Sequence, residues 1–279
     1  MTISRRQLIS MAPALLGMPM IARAATPFRF GLTPVFLDNE ATVIDRLRAA
    51  LDTGSSIEMV QRRTYAEITG LLLEGAVDAA WLCGYPFLQH EDALTLLAVP
   101  VWQGAPLYQS YLITHDDDPA DVLADLQGGT HAFSDPDSNS GYLVTVSDLA
   151  RLRLRPEEFF SRTIFAYGHR NVVRAVAQGL TRSGSVDGYV WEALTTVEPA
   201  LTRRTKVVAK SELLGFPPFV APRDRADQPD VIRFKTTLLG LHGTDAGREA
   251  LALLQLDNIM ETTPALFDGI RARMRDATG

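Results

Sequence analysis

Apolar residues along this chain come in short blocks that switch between two spacings. Residues 27–32 alternate and predict a strand, whereas Ala41, Ile44, Leu47, Ala50 and Leu51 predict a helix over 39–51. Residues 57–60 read as a strand and 65–73 as a helix, with Ile68, Leu71 and Leu72 on one side and Gly75 beyond its end. The run Ala79-Ala80-Trp81-Leu82-Cys83 is wholly apolar, as strands covered on both faces are, and Gly84 stops it. Further strands are expected over 94–102, 109–114, 130–133, 164–167, 186–190 and 205–210. Helices are expected over 121–126, 142–153, 171–178, 192–197, 231–241, 244–254 and 264–275. This alternation implies an α/β fold with mostly parallel sheets. No internal repeat and no Pro/Ser-rich linker divides the chain. Two lobes of interleaved segments, crossed near residues 108–114 and 207–211, fit that continuity.

The chain has 279 residues, of which 46% are apolar, enough for a full core in one large or two medium domains. The net charge of −6 excludes a broad basic face for nucleic acid or anionic lipid. Any bound anion must therefore be held by local donors against the overall field. Residues 1–24 carry the marks of an export signal: Arg5 and Arg6, an apolar stretch over 11–22, and Ala22-Arg23-Ala24 before the expected cleavage. Ser4-Arg5-Arg6-Gln7-Leu8 is similar to the twin-arginine export motif. Cleavage after Ala24 removes three arginines and no acids, taking the net charge from −6 to −9. The single cysteine, Cys83, permits no internal disulfide.

Candidate chemistry gathers where strands give way to helices. The segment Ser134-Asp135-Pro136-Asp137-Ser138-Asn139-Ser140-Gly141-Tyr142 follows a strand and precedes a helix. A helix start leaves backbone N–H groups unpaired, and Ser138, Asn139 and Ser140 add side-chain donors beside them. The same residue types also serve as plain helix caps. A second junction is Tyr167-Gly168-His169-Arg170-Asn171, where His169 is either an anion donor or a turn residue. Asp187, in Ser185-Val186-Asp187-Gly188-Tyr189, can accept from a protonated ligand or simply form a turn. Tyr65 and Tyr85 can point hydroxyls into a cleft or pack half-buried. Phosphate-loop, zinc-protease and nucleophile-elbow signatures are absent, and the five histidines have no metal-ligand spacing. No cofactor, metal or catalytic residue is expected.

The order of these pieces carries a resemblance. Tyr65 at a helix start is followed by Gly75-Ala76-Val77-Asp78-Ala79-Ala80, the Cys83-Gly84-Tyr85-Pro86-Phe87 turn and the Ser134–Gly141 loop. Gly168-His169, Ala175-Val176 and Gly179, Val186-Asp187-Gly188 and the segment 211–217 complete it. In this the chain resembles the phosphonate-binding family of periplasmic proteins, the binding components of phosphate, phosphite and phosphonate importers.

The resemblance implies a two-lobed type II binding protein, with one lobe over 25–110 and 210–279 and the other over 111–209. It is expected to be a soluble monomer in the periplasm that hands a small oxyanion to an ABC permease, not an enzyme. By resemblance, Ser138, Asn139 and Ser140 hold the oxyanion and His169 donates to it. Asp187 accepts from it, and Tyr65 and Tyr85 line the opposite lobe. Two departures stand out: Asn139 replaces a small hydroxyl residue, and Cys83-Gly84-Tyr85-Pro86 replaces a glycine-proline turn. A thiol at the cleft is similar to the branch that binds arsenite and signals to a membrane histidine kinase, where soft sulfur suits trivalent arsenic. Cys83 as a small buried hydrophobe is the alternative.

Overall fold

The structure is a computed structural model that describes residues 26–34, 41–52, 54 and 56–278. The expected export segment, 1–24, lies outside the described residues. No helix among the described residues is long and apolar enough to cross a membrane.

The first block of the chain comprises β1 (Phe28–Leu32), α1 (Ala41–Leu51), β2 (Ile57–Gln61), α2 (Tyr65–Leu73), β3 (Ala79–Trp81), α3 (Gly84–Gln89) and β4 (Leu94–Val101). A short strand, β5 (Leu107–Tyr108), leads into β6 (Ser110–His115), β7 (Thr130–Phe133), α4 (Val144–Arg151), α5 (Pro156–Phe159) and β8 (Arg162–Phe165). Next come α6 (His169–Ala177), β9 (Ser183–Asp187), α7 (Gly188–Val197), α8 (Pro199–Thr202) and β10 (Thr205–Lys210). The return passes through β11 (Leu214–Gly215) to β12 (Phe219–Pro222), α9 (Pro229–Gly240), α10 (Asp245–Leu253), β13 (Asn258–Met260) and α11 (Asp268–Thr278).

Two large sheets result, ordered β13-β4-β12-β3-β1-β2 and β10-β6-β9-β7-β8. Each contains a parallel trio, β3-β1-β2 in the first and β9-β7-β8 in the second. Every other neighbouring pair is antiparallel, so the sheets are mixed rather than mostly parallel. Between them, β5 and β11 form a separate antiparallel ribbon. Ser110 and Ser211 zip the crossings just beyond it: Ser110 N–H donates to Ser211 Oγ at 2.9 Å, and Ser211 N–H to Ser110 O at 2.9 Å.

Burial explains the local choices. Phe28 and Phe30 of β1 pack on Phe234 of α9, with ring centroids 4.7 and 4.9 Å apart. Gly31, on the opposite face, lets α2 approach; a Cβ there would sit 3.2 Å from Ile68. Buried Asp78, in the turn before β3, ties that turn to β1 by accepting from Arg29 N–H at 2.6 Å and pairing with the Arg29 and Arg225 guanidinium groups.

Several expected elements shift for physical reasons. The strand expected over 186–190 ends at Asp187, whose carboxylate caps a helix starting at Gly188. The turn expected after Cys83 is the helix α3, and the helix expected from Tyr142 begins as a π-helical turn over Asn139–Leu143. Strands β5, β11, β12 and β13 are too short or too mixed in pattern to show a periodicity. The carboxy-terminal helix, expected with the first lobe, lies against α4, which follows β7 of the second sheet.

Arg273 is the anchor of that packing. It is 3% exposed, donates to Glu212 Oε1 at 2.8 Å and to Ser147 Oγ at 2.9 Å, and also pairs with Asp148. Replacing it by Met keeps the buried stem and deletes charged hydrogen bonds each worth about 1.5–3 kcal/mol. Arg273→Met is therefore expected to lower stability by about 2 kcal/mol, read as a reduced denaturant midpoint. An unchanged midpoint would show that the ion pairs are offset by desolvation.

Candidate ligand-binding site

In an open α/β sheet the crevice beyond the carboxyl ends of the strands is where ligands bind. Here the carboxyl ends of both parallel trios lead into the same set of contacts. Tyr65 follows β2, Cys83 follows β3, residues 134–140 follow β7, His169 follows β8, and Asp187 ends β9. Tyr65, Cys83, Ser138, Asn139, Ser140, His169 and Asp187 are each at most 2% exposed.

Three helix starts supply the geometry. Thr64 caps α2 through a reciprocal bond with Glu67, which fixes Tyr65 as the first helical residue. Tyr65 N–H then donates at 3.2 Å to Asp135 Oδ2, a carboxylate from the other sheet placed at the positive end of the helix. At α6, Tyr167 (φ 48°) and Gly168 (φ 139°) turn the chain sharply, so that His169 opens the helix. At the loop before α4, Ser138 Oγ accepts from Gly141 N–H at 2.9 Å, and Gly141 must lack a side chain because a Cβ would collide with Ser134 Oγ.

His169 joins two of these starts. Its Nδ1 accepts from Asp187 N–H at 3.0 Å. Burial pushes the imidazole down to about 3, so the ring is neutral near pH 7 and its proton sits on Nε2. Nε2–H donates to Tyr65 Oη at 3.1 Å, across the two sheets. Tyr65 O–H is thereby left free to donate to a third group. His169 thus positions the Tyr65 hydroxyl, where the resemblance implies direct donation to ligand.

The loop donors are partly engaged by protein. Asn139 N–H donates to Cys83 Sγ at 3.3 Å, and Asn139 Nδ2 to Tyr108 Oη at 2.7 Å. The Ser140 hydroxyl reaches both Asp187 and Tyr108. Ser134 Oγ and Asn139 Oδ1 are buried with no hydrogen-bond partner among the described residues. A buried polar atom without a partner is costly, and these two lie in the same loop as Ser138 and Ser140.

Tyr85 differs from the cluster in being more exposed. It is half-buried, with its phenol in the field of Asp137 and Tyr142. Only its backbone N–H reaches Cys83. One participant escapes the sequence patterns. Tyr108 lies on the ribbon strand β5, where no motif flags it. Ser134 and Asp135 sit within the Ser134–Tyr142 segment, whose helix-start composition is the signal that finds them.

The electrostatics are those of neutral donors beside acids. No Lys or Arg is among these contacts. Burial raises both Asp135 and Asp187, the latter to about 7 despite hydrogen bonds from Tyr189 N–H, Val190 N–H and Ser140. Burial pushes the Cys83 thiol up to about 12, so it stays protonated near neutrality. Such an arrangement can bind an oxyanion that brings its own proton or an amine.

The family described as the periplasmic substrate-binding protein of phosphonate ABC transporters matches residues 31–267. Among curated relatives, the phosphate-import protein PhnD of Mycolicibacterium smegmatis is 28% identical over 250 residues, covering 81% of this chain and 77% of that protein. Two solved structures share the fold. A binding protein component of an ABC phosphonate transporter from Pseudomonas aeruginosa aligns with a TM-score of 0.81 at 24% identity, over 90% of this chain and 87% of that one. PhnD1 from Prochlorococcus marinus, solved with methylphosphonate, aligns with a TM-score of 0.77 at 15% identity, over 90% and 98%. By these matches the chain belongs to the family of periplasmic substrate-binding proteins of ABC phosphonate transporters.

Proposed function

We propose that this protein captures a phosphorus oxyanion (phosphate, phosphite or a phosphonate) in the periplasm and delivers it to an ABC permease. The observation that carries the reading is the convergence of the loop before α4, the start of α6 and the start of α2 on one buried cluster. Tyr65, Tyr108, Ser134 and Ser140 offer hydroxyls, and Ser138 shapes the loop. Water exclusion strengthens each of these neutral hydrogen bonds. The two sheets form the cores of two lobes that close about the β5–β11 ribbon, and Tyr65–His169 is a contact of the closed state.

Binding without turnover fits the protonation states. A thiol nucleophile needs a thiolate and an oriented base. Cys83 is protonated near neutrality, and His169 Nδ1 is occupied by a backbone N–H. The protonated thiol also gives no support to an arsenite sensor over an importer.

Asp187 selects the protonation state of the ligand. When ionised it accepts from a hydroxyl or amine and repels a fully deprotonated oxyanion. It also leaves a mark on stability. Between the ordinary value of 3.8 and about 7 the folded protein holds a proton that the unfolded chain has released. Its stabilising contribution is complete below that window and lost as pH rises through it. Buried, neutral His131 and His169, both pushed down to about 3, act in the opposite sense, adding stability as pH rises toward 6.5.

Two outcomes are expected. Asp187→Asn retains a good helix cap and removes the charge. Relative to wild type, the ligand-free variant should gain melting temperature from about pH 4 to about pH 7, with the difference constant above. Parallel melting curves across that range would contradict a raised Asp187. Thermal unfolding of residues 25–279 should rise by about 5–10 °C with phosphate, phosphite or methylphosphonate at a hundredfold excess over Kd. A rise with arsenite alone, lost in Cys83→Ser, would overturn the phosphorus reading in favour of a soft-oxyanion sensor.

A further inference from the structure

A second feature lies beside the buried cluster. A cavity of about 690 Å³ opens between the two lobes, within the size range of sites for organic ligands. Its cationic wall comes from both sides: Arg62 and Arg63 follow β2, while Arg170 and Arg174 lie on α6. These arginines begin within three residues of Tyr65 on one side and one residue of His169 on the other. The cavity therefore shares with the buried cluster the two chain segments that meet at 3.1 Å.

Charge in this cavity is unbalanced. Four guanidinium groups face one carboxylate, Glu67, which caps α2 and accepts from Thr64 N–H and Arg63 N–H. Arg170 pairs with Glu198. Among the described residues Arg62, Arg63 and Arg174 form no close carboxylate ion pair, though Arg62 lies in the field of Glu67: Arg62 donates to its neighbour's carbonyl at 2.7 Å and Arg174 to Asn171 Oδ1 at 3.2 Å. In a chain of net charge −6, this local excess has the opposite sign to the whole. The apolar part of the lining comes from Val43, Ile44 and Leu47 of α1 with Leu254. Tyr167, another lining residue, is held at φ 48°, a backbone strain of the kind found at ligand sites.

A lining of apolar side chains and guanidinium groups suits a molecule with a hydrocarbon segment and an anionic end, since guanidinium pairs with carboxylate or phosphate through two parallel hydrogen bonds. We propose that this cavity is a subsite for the far end of the ligand, and that the ligand class is an organophosphonate or organophosphate whose chain carries a second negative charge. The inference rests on the oxyanion reading of the buried cluster. Because the arginines belong to both lobes, the remote anion also bridges them and favours closure.

Calorimetry on residues 25–279 with three probes tests this: methylphosphonate, hexylphosphonate, and a phosphonohexanoate whose carboxylate ends the chain. The phosphonohexanoate is expected to bind tighter than hexylphosphonate by about tenfold or more at low ionic strength. That ratio should collapse toward one in Arg62→Ala/Arg174→Ala, in the exposed pair Arg62→Ala/Arg63→Ala, and as salt is raised. A ratio near one in the wild type, or one that survives in both double variants, overturns the subsite. Binding of methylphosphonate with rejection of both longer probes also overturns it while leaving the oxyanion reading intact. Rejection of all three removes the oxyanion reading and the subsite together.

Discussion

The hydrogen-bonded chain from Asp187 N–H through His169 to Tyr65 Oη is the contact that ties the strand ends of the two sheets together. A backbone donor occupies Nδ1, so the neutral ring can present its proton only from Nε2. That fixed tautomer points across the two sheets at a phenol from the opposite helix start. Burial reinforces the choice, since a protonated imidazole would carry an uncompensated charge into a site at most 2% exposed. The geometry of three strand ends and the protonation of one ring are thus a single constraint.

In the function proposed above, the buried cluster holds an oxyanion without a basic residue. Neutral donors then stand where lysine or arginine could, and discrimination rests on proton inventory rather than on charge. A dianion meets two carboxylates, Asp135 and Asp187, and gains nothing from a cation. A ligand with a proton to donate finds Asp187 as an acceptor instead. The arginines line a separate cavity and are not among the cluster's contacts. Cys83 fits the same logic: a weak sulfur acceptor holds Asn139 N–H, and an anionic oxygen is the stronger partner.

Closure also needs a back to the hinge. The ribbon of β5 and β11 is only two residue pairs long, and Ser110 and Ser211 extend it. The carboxy-terminal helix lies across this region. Buried Arg273 joins α11 to Glu212 beside the ribbon and to Ser147 and Asp148 of α4. Tyr108, on the ribbon itself, accepts from Asn139 Nδ2 at 2.7 Å, so the ribbon and the loop before α4 share a hydrogen bond.

What the sequence alone determined is what local physics encodes. Periodicity marked α2, β7 and β10 at the bounds they have, and the strand–helix alternation gave the α/β class. The composition of the loop over 134–142 and of Gly168-His169 marked helix starts rich in donors, because caps and unpaired amides are local requirements. Asp187 was legible as an acceptor, but its role as cap of α7 was hidden inside an apolar run that reads as one strand. The tertiary structure decided the pairing: Tyr65 with His169, Asn139 with Cys83, and Tyr65 N–H with Asp135 join residues 104, 56 and 70 positions apart. It also left Tyr85 half-buried, brought in Tyr108, and set α11 against α4. A sequence pattern reports which face of an element is apolar and where its ends need capping. Which ends meet is fixed only by how the two sheets and the hinge between them pack.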